Sequence, residues 1–182
     1  NDWTGQKITD DGFSPNISAN YEIMPGISVS AGYAEAFRGP EVRDSLLVGE
    51  YSNDPDLEGE RAKNLEVGMN FDGDDYSVAI GVYRADIENA ISHGGNIPWN
   101  KTFTNMEDEI ETLGYFISIE KSWNDLTLSA SMNIADTEVN DEAVSRYVYG
   151  STASTIGDTF VLSADYQANP DLVVGWSAEI VR

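Results

Sequence analysis

Eight stretches of this chain alternate apolar residues with small or polar ones, and the links between them are short at one end and long at the other. Leu65, Val67, Met69 and Phe71 are apolar, whereas Glu66, Gly68 and Asn70 between them are not. Tyr76, Val78, Ile80 and Val82 repeat the pattern against Ser77, Ala79, Gly81 and Tyr83. Successive side chains of a strand point to opposite faces, so each stretch has one apolar face and one of small or polar groups. A soluble sandwich turns the apolar face inward onto a core. A membrane barrel turns it outward to lipid and lines a wet lumen with the other.

The links favour the barrel. Four hairpins are expected: Pro15–Met24 with Ile27–Phe37, Lys63–Phe71 with Tyr76–Ile87, Thr112–Ser122 with Leu126–Ala135, and Thr159–Gln167 with Leu172–Val181. Their tight turns hold Pro25-Gly26, Asp72-Gly73-Asp74-Asp75, Trp123-Asn124-Asp125 and Asn169-Pro170-Asp171, the residue types that reversals require. Arg38–Ala62, Glu88–Glu111 and Asp136–Asp158 form the long connections, all on one side. Short turns at one rim and long loops at the other describe an outer-membrane barrel, and loops of this length are uncommon in compact domains unless functional or disordered. Phe71, Tyr76, Trp123 and Tyr166 gather near the short turns, as in the aromatic girdle of a lipid–water interface.

Composition sets further limits. No segment approaches the roughly 18 apolar residues of a membrane helix. The formal net charge of -22 repels phosphate backbones and excludes nucleic acid as a partner. Much of the acid lies in the long connections, as in Glu41, Asp44, Glu50, Asp54, Asp56, Glu58 and Glu60, where it is either a solvated surface or a mouth that attracts cationic chelates. There is no cysteine, hence no disulfide and no thiolate site. With His93 the single histidine, a His-rich zinc site is excluded, and no resident metal or cofactor is expected. Asp72-Gly73-Asp74-Asp75 lacks the distal glutamate of a calcium loop and is read as a turn. No separated nucleophile and base are apparent, so no enzyme is expected.

Two motifs add a resemblance. Phe37-Arg38-Gly39-Pro40 closes one strand, and Asn53-Asp54-Pro55-Asp56-Leu57-Glu58-Gly59-Glu60 leads into Asn64-Leu65-Glu66-Val67-Gly68. These resemble the Phe-Arg-Ala-Pro box, the Asn-Pro-x-Leu-x-Pro-Glu box and the x-Glu-x-Gly strand of TonB-dependent outer-membrane receptors. Gly39 stands for the usual Ala, Asp54 is inserted, and Gly59 stands where Pro is common. The resemblance implies an all-β, antiparallel up-and-down transmembrane barrel of about 22 strands with a plugged lumen, in the bacterial outer membrane. This chain would supply about eight of those strands, residues 1–182 being part of a single barrel domain, with the plug, early strands and last strand lying elsewhere. Glu60 and Glu66 are expected to face the interior near Arg38.

The implied function is active uptake of a scarce nutrient, a ferric siderophore or related metal chelate, with outer-membrane lipid and TonB (through the plug) as partners. Arg38, Tyr51, His93, Trp99 and Tyr147 are the residues expected to approach ligand. The heme receptors of this family place a histidine between the two boxes; Glu41 to Ser52 contains none, which favours a siderophore over heme, although Tyr51 offers an axial oxygen. Two other classes stay open. One is a complete eight-stranded barrel acting as anchor or adhesin; the other is a secreted sandwich that binds carbohydrate through Trp99 and the acidic loops.

Overall fold

The computed structural model describes residues 10–40, 56–94, 102–144 and 157–182, with the backbone alone for 92–94 and 102–103. Eleven strands occur among them: β1 (Asn16–Met24), β2 (Ile27–Arg38), β3 (Glu60–Asp72), β4 (Tyr76–Glu88), β5 (Ile91–Gly94), β6 (Thr102–Asn105), β7 (Ile110–Trp123), β8 (Leu126–Val139), β9 (Glu142–Ala143), β10 (Thr159–Asn169) and β11 (Leu172–Val181). Eight of them form one antiparallel meander in the order β1-β2-β3-β4-β7-β8-β10-β11. These are the four expected hairpins laid side by side. β5 and β6 pair only with each other, inside the connection from β4 to β7, and β9 folds back onto the outer end of β8.

Local chemistry sets each short turn. Gly26 has φ 78°, a left-handed conformation that favours glycine, and a Cβ there would lie 2.3 Å from the Asp72 carbonyl oxygen. Asn124 takes φ 52°, which asparagine tolerates better than most residues. Asn169 accepts the Asp171 N–H through its side-chain oxygen at 3.0 Å, an Asx turn. Neighbouring turns are also tied together. The Asp72 N–H donates to the Gly26 carbonyl, Ser122 to Asp75 and Gln167 to Asp125, at 2.7 to 2.8 Å.

Register settles which way the faces point. One row of directly opposed residues runs Tyr21, Val29, Met69, Ile80, Ile117, Met132, Phe160 and Ile180 across all eight strands. Every member is apolar or aromatic. The adjacent row on the other face runs Asn20, Ser30, Gly68, Gly81, Phe116, Asn133, Thr159 and Val181. A slip of one residue at any hairpin would put polar groups among the apolar ones, so register is specified by lipid. Tyr76, Trp123 and Tyr166 lie on the apolar face at the short-turn end and are exposed.

The same face ends at the loop side in ion pairs. Arg61 reaches Glu35 at 2.7 Å, Arg84 reaches Asp86 at 2.8 Å and Glu111 at 2.9 Å, and Lys63 pairs with Glu88. From Tyr76 to Asp86 is ten residues, about 33 Å of strand, which a tilt of about 40° projects to about 25 Å, the height of an outer-membrane apolar band.

On the inner face the wall is thin. Gly81 lies directly opposite Phe116, and Gly114 opposite Tyr83. A Cβ on either glycine would meet the facing ring at 2.5 and 2.3 Å, so each ring occupies the space a side chain there would fill. Tyr83 then donates its hydroxyl to Asn133 Oδ1 at 3.1 Å, bridging β4 to β8.

Two expectations need correction. Glu60 faces Arg38, but Glu66 faces Gly32, six residues and about 20 Å farther down β3, and does not approach Arg38. The long connections are also shorter than expected. Strand pairing continues through Glu60–Ala62, Ile110–Glu111 and Asp136–Val139, because above the lipid band a ladder needs no apolar alternation.

Candidate functional site at the outer rim

Among the described residues, the buried apolar side chains lie at the loop end rather than in the middle of the sheet. Leu57 and Ile91 are 4% exposed, Ile110 is 6% and Val139 is 0%. Ile87, Ile110 and Val139 are opposed in register on the inner face, so the polar alternation of the lumen gives way to an apolar patch there. Ala90 is buried in the same cluster, and Met106 and Val144 pack against it.

Polar groups lock this patch in place. Arg38, the last residue of β2, donates from Nε to Glu60 Oε2 at 2.6 Å, and Glu60 Oε1 accepts the Ile91 N–H at 2.7 Å. One carboxylate thus joins the end of β2, the start of β3 and the connection that follows β4, through charge-assisted hydrogen bonds. Asn105 does the same with a neutral amide. Its Oδ1 accepts the Glu58 N–H at 2.8 Å, and its Nδ2 donates to the Glu58 carbonyl at 2.9 Å and the Asn89 carbonyl at 2.7 Å. Asn89, at φ 54°, donates its own side-chain amide to Glu58 Oε2 at 3.2 Å. The bases of two long connections are therefore one body.

A strap closes the outer side. Residues ahead of β1 cross the end of β2: Ser14 Oγ accepts the Phe37 N–H at 3.0 Å, and the Pro15 carbonyl accepts from Glu35 at 2.8 Å. Asp10 accepts the Gly59 N–H at 2.6 Å. The Phe37 ring lies beneath, against Gly12 and Gly59, with the Arg61 guanidinium 5.9 Å from its centroid. Gly39 and Pro40 then leave the sheet, where Pro40 has no N–H to continue the ladder.

Of the residues expected to approach ligand, Arg38 lies in this rim. His93 sits on β5 opposite Phe103, four residues beyond Asn89. Tyr51, Trp99 and Tyr147, and Asn53 and Pro55 of the second box, fall outside the described residues. Leu57 is the buried anchor of that box, while Gly68 lies far down β3 between Ser30 and Gly81. Asp10, Glu58, Asn89 and Asn105 organise the rim without any sequence signal beyond the Asn at a left-handed position. Among the described residues, no cluster of three or more His, Cys, Asp or Glu is arranged to hold a metal ion.

Residues 1–180 match the TonB dependent receptor-like, beta-barrel family. The chain belongs to that family. It is thus an outer-membrane protein, and its sheet is barrel wall with the apolar row toward lipid. Among curated proteins it is similar to the heme transporter BhuA of Brucella abortus, 24% identical over 98% of this chain and 27% of that protein. It is also similar to the hemophilin receptor of Acinetobacter baumannii, 22% identical over 84% of this chain and 15% of that protein. Among solved structures it superposes on the siderophore receptor PirA of Pseudomonas aeruginosa with a TM-score of 0.72, at 20% identity, covering 93% of this chain and 30% of that one. The FrpB iron transporter of Neisseria meningitidis gives 0.68 at 21% identity, over 93% and 26%. The chain spans about a quarter or less of the curated relatives it matches. At these identities the solved structures speak for the fold. The small complete barrel and the soluble sandwich are not favoured.

Proposed function

We propose that these residues form a wall segment and three extracellular connections of an energy-coupled receptor that imports a scarce iron-bearing chelate, a ferric siderophore before any other. The rim carries this reading. Arg38, Glu60, Asn89 and Asn105 fix the bases of two long connections above a polar lumen. Fixed bases beneath long loop tips suit the capture of a ligand larger than a bare ion. Relatives named as a siderophore receptor, an iron transporter and a heme transporter support an iron-bearing cargo. A net charge of -22 adds attraction for cationic chelates. In this reading residues 1–182 are one part of a single barrel domain. The plug, the segment that meets TonB, the early strands and the last strand belong to the rest of the receptor, and no bond of the cargo is made or broken.

Heme is the second reading. It draws on the curated relatives so named and on His93, which the β5–β6 hairpin sets beside the buried rim. The lack of histidine in residues 41–52 stands against it. Growth of an iron-starved strain lacking the receptor gene, with and without the gene restored, separates the two. Restored growth on a ferric siderophore but not on heme is the expected result. Growth on heme alone would transfer the assignment to heme, and growth on neither would end the iron reading.

A further inference from the structure

At the short-turn rim, facing lipid, Lys121 is directly opposed to Tyr76 across β4 and β7, and Trp123 is the next residue on its face. The ammonium lies 5.9 Å from the Tyr76 ring centroid and 5.6 Å from that of Trp123, and it pairs with the Asp75 carboxylate. The two rings are half exposed, so one side of this box is open to lipid. Among the described residues Lys121 is the only cation at this end. Arg38, Arg61, Lys63 and Arg84 lie at the loop end, and Arg182 lies just beyond Ile180, near the middle of the sheet. Its surroundings are acidic, with Asp72, Asp74 and Asp75 in one turn and Asp125 and Asp171 in the next two.

Directly above this box the apolar face has a groove between β7, β8 and β10. Ile117, Ile119, Met132, Phe160, Leu162 and Ile180 of β11 form its walls, Ala130 forms its floor, and Arg182 lines it at the end away from Lys121. Ala130 is opposed to Ile119 on one side and Leu162 on the other, so a methyl group sits between two large side chains in the same row. Ile119 is two residues from Lys121 on the same face, which puts the lower end of the groove about 7 Å along the strand from the Lys121 backbone.

We propose that this box and groove hold one glycerophospholipid of the periplasmic leaflet with a phosphoethanolamine head. The phosphate takes the Lys121 ammonium. The lipid's own ammonium takes Asp75 and the open faces of Tyr76 and Trp123, through charge and cation–π attraction. One acyl chain lies over Ala130. A protein zwitterion of Lys121 and Asp75 is complementary to a zwitterionic head. The surplus carboxylates of the turns disfavour an anionic head such as phosphoglycerol, because the one cation then faces both Asp75 and the phosphate and one negative charge stays unpaired.

Native mass spectrometry of the full receptor, delipidated in detergent and titrated with palmitoyl-oleoyl phosphatidylethanolamine or phosphatidylglycerol, tests this. The wild type is expected to retain one phosphatidylethanolamine at concentrations that leave phosphatidylglycerol unbound. Lys121→Gln should weaken that retention about tenfold, the loss of one charge-assisted contact. Ala130→Leu, which fills the groove and leaves the box intact, should weaken it too, whereas Lys121→Arg should keep it. Asp75→Asn should remove the preference between the two heads. Folded protein is selected by its faster migration in unboiled gels, and if Lys121→Gln does not fold, Asp75→Asn and Ala130→Leu read the same site. Equal retention of both lipids by the wild type, or retention unchanged in folded Lys121→Gln and Ala130→Leu, overturns the proposal.

Discussion

Gly59 stands where receptors of this family commonly carry proline, and two contacts give the reason. Its N–H donates to Asp10 at 2.6 Å, a bond proline lacks the hydrogen to make. A Cβ at this position would fall 2.5 Å from the Phe37 ring and 2.8 Å from the Asp10 carboxylate. Restoring the family residue with Gly59→Pro should therefore destabilise the folded receptor by about 1–3 kcal/mol in urea unfolding. Much of that cost should vanish in an Asp10→Ala background, where the acceptor is already gone. Strict additivity of the two changes would show that the Asp10 contact is not the cause. At this scale the sequence was unevenly legible. Glu60 and Glu66 were both expected near Arg38, and only Glu60 lies there, because alternation puts the two on one face without saying how far along the strand the register sets each. Asn105 was not legible, because its role depends on joining Glu58 and Asn89, which lie 47 and 16 residues away. Nothing local distinguishes such an asparagine from a solvated one.

The strands themselves were legible nearly to the residue at their short-turn ends, where Gly26, Asn124 and the Asn169–Asp171 turn impose a backbone that few other residues accept. Their loop ends were not. There the lipid band stops, apolar alternation stops with it, and Glu35, Arg61, Lys63 and Glu88 continue the ladder as ion pairs. The β5–β6 hairpin was missed for a related reason: its four-residue strands carry no alternation that rises above that of a loop. Within β4 and β7, the pairing of each glycine with an aromatic is a specific device. Gly114 leaves room for the Tyr83 ring, which would otherwise stand out into the lumen, and the hydroxyl then reaches Asn133. Gly114→Val should dislodge the ring and break that bond, lowering stability in detergent by about 1–3 kcal/mol. Adding Tyr83→Ala, which removes the colliding ring, should return part of the loss. If Tyr83→Ala instead adds its full separate cost, the ring does not rest on Gly114 and the wall is thicker than described.

The whole molecule is organised by a solvent boundary rather than by a core. Among the described residues, many large apolar side chains are exposed, most of them on the face marked by the apolar row that crosses eight strands, while the buried apolar side chains stay at the rim. In water such a sheet would present both a lipid-facing surface and the free edges of β1 and β11, a combination that leads to aggregation. In a membrane the same row is satisfied, and the cost of a charge then depends on depth alone. The outward residues of β7 sample that depth in order: Leu113 beside Arg84, then Tyr115, Ile117 and Ile119, and finally Lys121 at the opposite rim. Arginine at Ile117 is expected to cost about 2–4 kcal/mol for folding into lipid vesicles, falling to about 0–1 kcal/mol at Leu113 near the ion pairs. Ser118→Arg points into the lumen and should cost far less than its neighbour. Equilibrium unfolding of the full receptor from vesicles gives this profile directly. A peak at Ile117 flanked by low values identifies a bilayer as the medium around β7. A profile that is flat along the outward face, or as high at Ser118 as at Ile117, would mean that protein rather than lipid covers this row, and the boundary would have to be drawn elsewhere.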